Sequence, residues 1–346
     1  MMPVPDGVAN GQFTSQRGVT IHDVAREAGV SPATVSKVMN NRYGVASATQ
    51  ARVKAAVTKL GYEASLVASS MRRSSSNTIG VLLAGFDPFA TEVIKGISAE
   101  AVGKGYELLA YSGAIADERA VGWEHRSIQR LGGSLIDAAI VMTPTIRISG
   151  TAIPIVTVDP PAGLTDSATI ASDNLAGARE ATKHLIDLGH VRIAHIRGRT
   201  DLLSAQLREQ GYVQALAEAR LPYDPSLTLT GAYRRDWAVD CARKLLDLPY
   251  PPTAIFCAND WSALGVYDVC AERGLRIPED LSVIGFDDIP EGHVLAPPLT
   301  TIAQNLPEIG ADAFRLIRSM LDGGGSDNIT VATTLMHRGS TGPVPA

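Results

Sequence analysis

The sequence predicts an α/β protein that consists of a short all-α head and a larger two-lobed body with parallel sheets. Three helical patterns with capping residues follow one another within residues 19–64. Beyond residue 78, short apolar runs alternate with helical patterns, which is typical of parallel sheets covered by helices on both faces. The body of roughly 265 residues exceeds a comfortable single core, so two similar lobes are expected.

The chain divides into five segments by pattern and composition. We predict a disordered lead over 1–18, a helix-turn-helix domain over 19–64, a hinge over 65–77, the two-lobed body over 78–340 and a tail over 341–346. The lead contains prolines and glycines but no apolar core segment, so it does not predict a secretion signal. No apolar run approaches the roughly 18 residues that span a bilayer. These features predict a cytoplasmic protein with no membrane partner.

The charge is distributed unevenly along the chain. The net charge is −5, but residues 1–75 carry nine Lys and Arg against four Asp and Glu, whereas the remainder carries 22 basic against 32 acidic residues. A basic head on an acidic body indicates that nucleic-acid contact is confined to one end. A basic face that is merely solvated gives the same count, so charge alone does not decide the function.

The first two helices of the head have recognisable ends. Thr20 and Asp23 form a capping pair before an apolar stripe at helical spacing, and Gly29 supplies the left-handed residue that ends this helix. Ser31 is expected to cap a second helix that has Pro32 at its first position. The three-residue break between the two helices is typical of a helix-turn-helix motif.

A third helix completes the head. We expect Ser47 to cap it, with Gln50 at the capping-box position, and Gly61 to end it. Helix spacing alone is equally typical of a plain three-helix bundle. The runs VTIHDVAREAGVSPATVSKVMN and VASATQARVKAAVTKLGYEAS decide between the two, because they closely resemble the head of the lactose-repressor (LacI/GalR) family of transcriptional regulators. The resemblance covers nearly the whole chain after the first 18 residues.

The resemblance implies that the second helix enters the major groove of an operator. Thr34 and Lys37 are then able to hydrogen-bond to base edges, and Pro32 and Ala33 offer apolar contact. The full set of residues expected to face bases or phosphates in this region is Pro32, Ala33, Thr34, Ser36, Lys37, Asn40 and Arg42. Further phosphate contacts are expected from Thr20, Ser31, Tyr43 and Ser47, although Ser31 and Ser47 have capping as an equal alternative.

The hinge is short and polar at its end. Its seven-residue run SLVASSM is too short for a stable free helix. In the family this segment folds only on DNA, where paired hinge helices from two subunits enter the minor groove and an apolar residue kinks the duplex. Met71 stands where the family usually has leucine, and Arg72 and Arg73 are expected to contact phosphates. The alternative is a plain linker with Met71 packed on the body.

Polar residues follow successive strand patterns of the body. Because ligands of such folds bind beyond the carboxyl ends of strands, these residues predict a binding site. Carboxylates, an amide and a guanidinium can hold vicinal hydroxyls, and an aromatic face can cover a sugar ring. Each residue alone is also explained as a helix cap or a core residue. The predicted effector contacts are Asp87, Phe89, Asp159, Arg208, Trp237, Asn259, Asp260, Asp287 and Gln304.

The resemblance extends to this site. The runs CANDWSALG, SVIGFDD and PPLTTIAQN are similar to effector-domain signatures of the family, and Arg208, Asn259 and Asp287 match its usual ligand-contacting positions. Gln304 is expected in the third chain crossing between the lobes. The implied body is that of the periplasmic sugar-binding proteins, and a carbohydrate is the expected effector. A nucleobase or nucleoside stays open as the alternative, since Phe86 and Phe89 offer additional stacking.

Several other function classes lack their motifs. There is no GxGxxG after a strand, no GxxxxGK[ST], no HExxH and no GxSxG, and the three cysteines are isolated. We therefore expect no enzyme, no cofactor and no bound metal. A solute-binding transport protein with the same body is the main rival, but it needs a signal peptide and no DNA-binding head. The overall interpretation is a homodimeric repressor of a pseudo-palindromic operator. The last predicted element is a strand over 328–341, and no heptad pattern that would pair dimers into tetramers follows it.

Overall fold

The computed structural model describes residues 19–39, 43–62, 75–113, 121–163 and 166–344. The predicted lead, most of the predicted hinge and five predicted DNA contacts lie outside these residues; the five are Asn40, Arg42, Met71, Arg72 and Arg73. The chain forms two compact units, Met1–Ser74 and Ser75–Ala346, which correspond to a head and a body. Within the described residues, no helix is long and apolar enough to cross a membrane.

The head is a bundle of three short helices. They are α1 (Ile21–Ala28), α2 (Pro32–Met39) and α3 (Ser47–Leu60). Each helix contributes a fully buried valine to one small core, in the form of Val24, Val35 and Val53. The three-residue connection over residues 29–31 joins α1 to α2, so the predicted helix-turn-helix is present.

The caps of these helices are largely those that the sequence predicts. The backbone N–H and the hydroxyl of Thr20 both donate to the Asp23 carboxylate, at 2.9 and 2.7 Å. Ser31 Oγ accepts from the backbone N–H of Thr34 at 3.2 Å. Gly29 and Gly61 end α1 and α3 with φ of 63° and 60°. The prediction for α3 is wrong by one residue, because Ala46 occupies the capping position and Ser47 is the first helical residue.

The body contains two six-stranded sheets, one in each lobe. The first has the order β11-β5-β4-β3-β1-β2 and is parallel throughout. Its strands are β1 (Thr78–Leu83), β2 (Glu107–Ser112), β3 (Ala138–Met142), β4 (Ile155–Val158), β5 (Ala168–Ser172) and β11 (Ile329–Val331). Helices α4 (Pro88–Ala101), α5 (Trp123–Leu131) and α11 (Leu306–Leu321) belong to this lobe.

The second sheet has the order β12-β10-β9-β8-β6-β7. Its strands are β6 (Ile193–Arg197), β7 (Thr228–Thr230), β8 (Ala254–Cys257), β9 (Ser282–Asp287), β10 (Thr300–Ala303) and β12 (Thr334–Met336). Only the edge strand β12 runs antiparallel to its neighbour. The helices of this lobe are α6 (Asn174–Asp187), α7 (Leu203–Glu218), α8 (Arg235–Leu246), α9 (Asp260–Arg273) and the short α10 (Pro290–His293).

The chain crosses between the lobes three times, after β5, after β10 and after β11. Two predictions are corrected by these crossings. Gln304 lies in the second crossing along the chain, between β10 and α11, and not in the third. The single final strand predicted over 328–341 is two short strands in different sheets, since the chain leaves the first sheet after Val331 and joins the second at Thr334.

Close helix contact within the first lobe depends on two glycines. An added Cβ at Gly96 of α4 would lie 1.8 Å from the carbonyl oxygen of Pro307, and one at Gly310 of α11 would lie 2.0 Å from that of Val93. Each glycine therefore meets the backbone of the opposite helix. This contact holds α11, which comes after the second crossing, against the first helix of the lobe.

Candidate nucleic-acid interface and ligand cleft

Helix α2 presents one apolar and one accessible face. Val35 and Val38 are buried in the head core, whereas Ala33 and Lys37 are exposed. Thr34 is half-buried at the start of the helix, and its hydroxyl lies 2.9 Å from that of Ser31. The helix is thus anchored by its valines and leaves the side chains that were predicted to reach base edges at or near the surface.

The remaining predicted contacts of the head differ in their exposure. Tyr43 is fully exposed, Ser47 is exposed, and Pro32, Ser36 and Thr20 are half-buried. Ser31 has the capping role that was its alternative. The ion pairs within residues 19–39 and 43–62 join Arg26 to Asp23 and Lys59 to Glu27, so neither involves Lys37.

A buried ion pair lies in the body where strand ends of the second lobe meet the crossings. Arg208 of α7 and Asp287 at the end of β9 are only 3% and 4% exposed, and Arg208 Nη1 is 3.6 Å from Asp287 Oδ1. The Arg208 guanidinium also donates to Asn174 Oδ1 at 2.8 Å and to the carbonyl oxygen of Ala258. Its central carbon lies 3.7 Å from the centre of the Phe286 ring.

The pair is connected to two of the three crossings. Gln304 donates its side-chain N–H to Asp287 Oδ1 and accepts from Ser172 Oγ at 2.6 Å. Burial raises the pKa of Asp287 well above its usual range, and the opposing charge of Arg208 only partly offsets this. The arrangement places a paired guanidinium and carboxyl group next to the segments about which the two lobes are joined.

A second group of polar residues extends from the first lobe toward this pair. Asp159, which follows β4, accepts from Ser204 Oγ at 3.2 Å, and Ser204 Oγ is 2.9 Å from the hydroxyl of Tyr233. Burial raises the pKa of Asp159 and raises that of Tyr233 to about 12. The Tyr233 ring centre is 5.5 Å from the guanidinium carbon of Arg208, so both groups belong to one network.

An open cavity of about 590 Å³ adjoins the network and shares Tyr233 with it. Its lining consists of Asp87, Tyr233, Arg234, Arg235, Asp236, Val239, Trp261 and Asp268. Trp261 belongs to α9 of the second lobe but packs against the apolar core of the first lobe. Phe89 of α4 packs against the same core. The cavity therefore lies between the lobes.

Tyr233 and Trp261 are site residues that sequence reasoning missed. Tyr233 has a positive φ of 63°, and a Cβ on the facing Gly198 would lie 2.1 Å from its ring, so that close approach requires glycine. Trp261 stands within the run CANDWSALG, where an aromatic residue directly after two polar strand-end residues was an available signal.

The structure does not bring every predicted contact into the cleft. Asp260 is fully buried, and its carboxylate accepts from the Thr301 hydroxyl at 2.5 Å and from the backbone N–H of Ile289 at 3.0 Å. It thus joins α9, β10 and the loop after β9, which corrects its assignment as an effector contact. Trp237 is 47% exposed, with the Arg234 guanidinium over its ring at 5.6 Å, and it is not part of the cavity lining.

The other predicted residues lie at the cleft with mixed roles. Asn259 is 8% exposed and caps α9 by accepting from Ser262 N at 3.0 Å, while its amide reaches the carbonyl oxygen of Tyr233 at 3.5 Å. Asp87 caps α4 through Ala90 N at 2.7 Å and also lines the cavity. No group of three or more His, Cys, Asp or Glu side chains in the described part of the chain could hold a metal ion.

Comparison with known proteins agrees with both units. Residues 20–65 match the bacterial regulatory proteins of the lacI family, and residues 182–341 match the periplasmic binding protein-like domain. The HTH-type transcriptional repressor CytR of Escherichia coli (strain K12) is 35% identical over 335 residues, which are 95% of this chain and 98% of that protein. The repressor PurR of Haemophilus influenzae is 35% identical over 307 residues, 86% of this chain and 90% of its own.

Solved structures give the same result. The lac repressor dimer bound to operator and the anti-inducer ONPF superimposes with a TM-score of 0.77 at 26% identity, over 94% of this chain and all of that one. The transcriptional regulator CelR in complex with cellobiose has a TM-score of 0.70 at 28% identity, over 93% of this chain and 99% of its own. The predicted fold and the resemblance are confirmed, and the chain belongs to the lacI family of DNA-binding transcriptional repressors.

Proposed function

We propose that the protein represses transcription as a homodimer on a pseudo-palindromic operator, with α2 of each subunit in the major groove. The exposed Ala33 and Lys37 on a helix anchored by Val35 and Val38 support this placement. The structurally similar lac repressor binds its operator as a dimer. Two subunits related by a twofold axis match two half-sites of a palindrome.

We further propose that a small-molecule effector controls this repression by binding in the cleft between the lobes. The single observation that carries the proposal is the buried pair of Arg208 and Asp287, 3.6 Å apart beside the crossings. A guanidinium donates to two neighbouring oxygens while a carboxyl group accepts from the hydroxyl protons. That combination suits a neutral ring that carries two adjacent hydroxyl groups.

A carbohydrate is the first candidate for this effector. Tyr233 and Trp261 line the cavity and offer aromatic faces to the apolar side of a sugar ring. The related regulator CelR forms a complex with cellobiose. A nucleoside is the second candidate, because its ribose carries the same adjacent hydroxyls and Phe89, like Trp261, packs against the apolar core of the first lobe.

The position of Arg208 and Asp287 beside the crossings suggests how a bound ligand changes operator affinity. Asp287 is bonded to Gln304 in the second crossing, and Gln304 to Ser172 at the end of β5, directly before the first. A ligand that draws Arg208 and Asp287 together shifts both segments and closes the lobes. The ligand changes operator affinity only to the extent that it binds the open and closed lobes with different affinity. This difference in binding free energy is typically about 1–3 kcal/mol.

The test is a thermal-shift screen of the full chain against cellobiose, monosaccharides, nucleosides and free nucleobases. A ligand present at about 100 times its Kd stabilises the folded state by about 2.7 kcal/mol. We expect a shift from a sugar or a nucleoside and none from a nucleobase that lacks hydroxyls. A shift from nucleobases alone contradicts the proposed diol recognition.

Variants of the site complete this test. Asp287→Asn and Asp287→Ala should remove the thermal shift and the effector response while effector-free operator affinity stays close to wild type. Asp166→Asn is the matched control, since that carboxylate forms an exposed ion pair with Arg147. Folded Asp287 variants that keep full effector sensitivity show that the ligand binds elsewhere.

A further inference from the structure

The first residues of the body are held by one carboxylate. Ser75 Oγ donates to Asp137 Oδ2 at 2.6 Å, and the N–H of Asn77 donates to the same oxygen at 2.6 Å. The N–H and hydroxyl of Ser76 donate to Asp137 Oδ1 at 2.8 and 2.9 Å. Three consecutive residues thus give four hydrogen bonds to a single side chain, an arrangement that we call the Asp137 clasp.

The clasp continues the first sheet at its amino-terminal edge. Asp137 directly precedes β3, and its N–H donates to the carbonyl oxygen of Thr78 at 2.9 Å. On the other side, the carbonyl oxygen of Asn77 accepts from Glu107 N at 2.9 Å. Asn77 adopts a left-handed φ of 51°, which costs free energy for a residue with a Cβ and persists only where its surroundings hold it.

The charge of Asp137 suits its four donors. Desolvation by partial burial favours the protonated acid, but the hydrogen bonds from Ser75, Ser76 and Asn77 outweigh it and hold the pKa of Asp137 below its usual range. Hydrogen bonds to an ionised acceptor are roughly twice as strong as neutral ones. The clasp is therefore a strong contact although Ser75 and Asn77 are exposed.

The clasp lies at the point where the chain from the DNA-binding head reaches the body. The two strands that directly follow the residues of the clasp, β1 and β3, run to the ligand cleft. Strand β1 starts at Thr78 and leads to Asp87, and β3 leads to Thr143, whose carbonyl oxygen accepts from Arg199 of the second lobe at 3.4 Å. Five buried residues of β3 span about 17 Å between the clasp and this contact.

We propose that Asp137 is a positioning residue whose carboxylate fixes the direction in which the chain from the head enters the body, and that tight operator binding requires this anchor. This role depends on the proposed binding of a homodimer to its operator and not on the identity of the effector. A chain that leaves the body in a fixed direction loses less entropy when two heads engage two half-sites at once. Release of the clasp removes that restriction without changing any base contact.

The first measurement follows hydrogen exchange at the amides of Ser76 and Asn77. Asp137→Asn keeps the volume of the side chain but replaces one acceptor by an N–H group that faces these donors. We expect faster exchange at both amides and little change in exchange in the strands on either side. Asp166→Asn, in an exposed ion pair of the same lobe, is the control that should exchange like wild type.

The second measurement is affinity for a duplex that the wild-type protein selects from a random-sequence library, with a random duplex for comparison. We expect Asp137→Asn to weaken binding to the selected duplex at least about fivefold, the lower end of typical coupling, and to leave random-duplex binding nearly unchanged. Ser76→Ala removes one donor and should give a smaller loss in the same direction. Ser76→Ala also tests the proposal if Asp137→Asn folds poorly.

Two results overturn the proposal. One is wild-type affinity for the selected duplex in Asp137→Asn despite fast exchange at Ser76 and Asn77. The other is a loss of affinity that equals the loss of folded protein at the assay temperature in both Asp137→Asn and Ser76→Ala, because a merely structural clasp gives that outcome. A wild-type chain that selects no duplex contradicts the proposed operator binding instead, so the two failures are distinguishable.

Discussion

Replacing Arg208 by methionine tests whether the buried pair holds the cleft together. Methionine keeps an unbranched apolar stem that packs on Phe286, but Asp287 is left at 4% exposure without its guanidinium partner. Breaking a buried ion pair by removal of one member typically costs about 3–5 kcal/mol. For a unit of this size, about 2–4 °C of Tm are lost per kcal/mol, so we expect a decrease of roughly 6–20 °C.

The pair energy itself requires a double-mutant cycle. Asp287→Leu alone leaves a buried guanidinium, whereas Arg208→Met combined with Asp287→Leu leaves no charge and fills much of the volume. Replacing both members of such a pair by apolar residues is often nearly neutral. The double variant should therefore recover most of the stability that either single variant loses, with an interaction energy of at least about 2 kcal/mol.

The assay is urea unfolding of the full chain, followed by the fluorescence of its three tryptophans. Because the pKa of Asp287 is raised, protonation relieves the unpaired carboxylate, and the cost of Arg208→Met should be smaller at pH 5 than at pH 8. A single-variant cost below about 1 kcal/mol, with additive effects in the double variant, would refute the reasoning.

Three further predictions concern other parts of the chain. Lys37→Ala should cost about 1–3 kcal/mol of operator binding and relax preference at one base position, and an unchanged operator-to-random affinity ratio contradicts this role. Burial raises the pKa of Asp260 to about 7, so its contribution to stability is complete below about pH 3.8 and is lost as pH rises from there through 7; Tm should fall between pH 5 and 7, and less so in Asp260→Asn. Gly310→Ala places a Cβ 2.0 Å from the Val93 carbonyl oxygen and should cost about 1–3 kcal/mol in urea unfolding, whereas Gly325→Ala, with open space around it, should cost little.

Local signals in the sequence were sufficient for much of the fold. Capping pairs and left-handed glycines act within a few residues, so Thr20, Gly29 and Gly61 mark helix ends that the structure contains. All five residues of strand β3 are buried and form the continuous apolar run AAIVM, which is visible in the sequence. The alternation of such runs with helices predicted the parallel sheets, and the length of the body predicted the two lobes.

Tertiary context decided the elements that were missed. Strand β2 has no buried residue and only a three-residue apolar run, and β7 has only three residues. The split of the last predicted strand depends on which sheet edge is open at Val331 and at Thr334, a property of the assembled lobes.

The sequence predicted those residues of the candidate site whose role follows from their position at the end of a strand or in a crossing. Arg208, Asp287 and Gln304 meet because the carboxyl ends of parallel strands and the crossings lie together. Asp260 could not be separated from its neighbour Asn259 in the sequence, since which of two adjacent side chains points into the core is set by β10 and the loop after β9.

The three crossings have a consequence for synthesis of the chain. The first lobe takes its sheet strands β1 to β5 from residues 78–172, but it also needs α11 and β11 from Leu306–Leu321 and Ile329–Val331. Since a ribosome releases the chain from its amino terminus, this lobe stays incomplete until nearly the last residues emerge, while the head has its whole core within the first 62. The unit that binds DNA can therefore fold long before the unit that regulates it, and a chain that terminates before Leu306 carries a head with no complete first lobe.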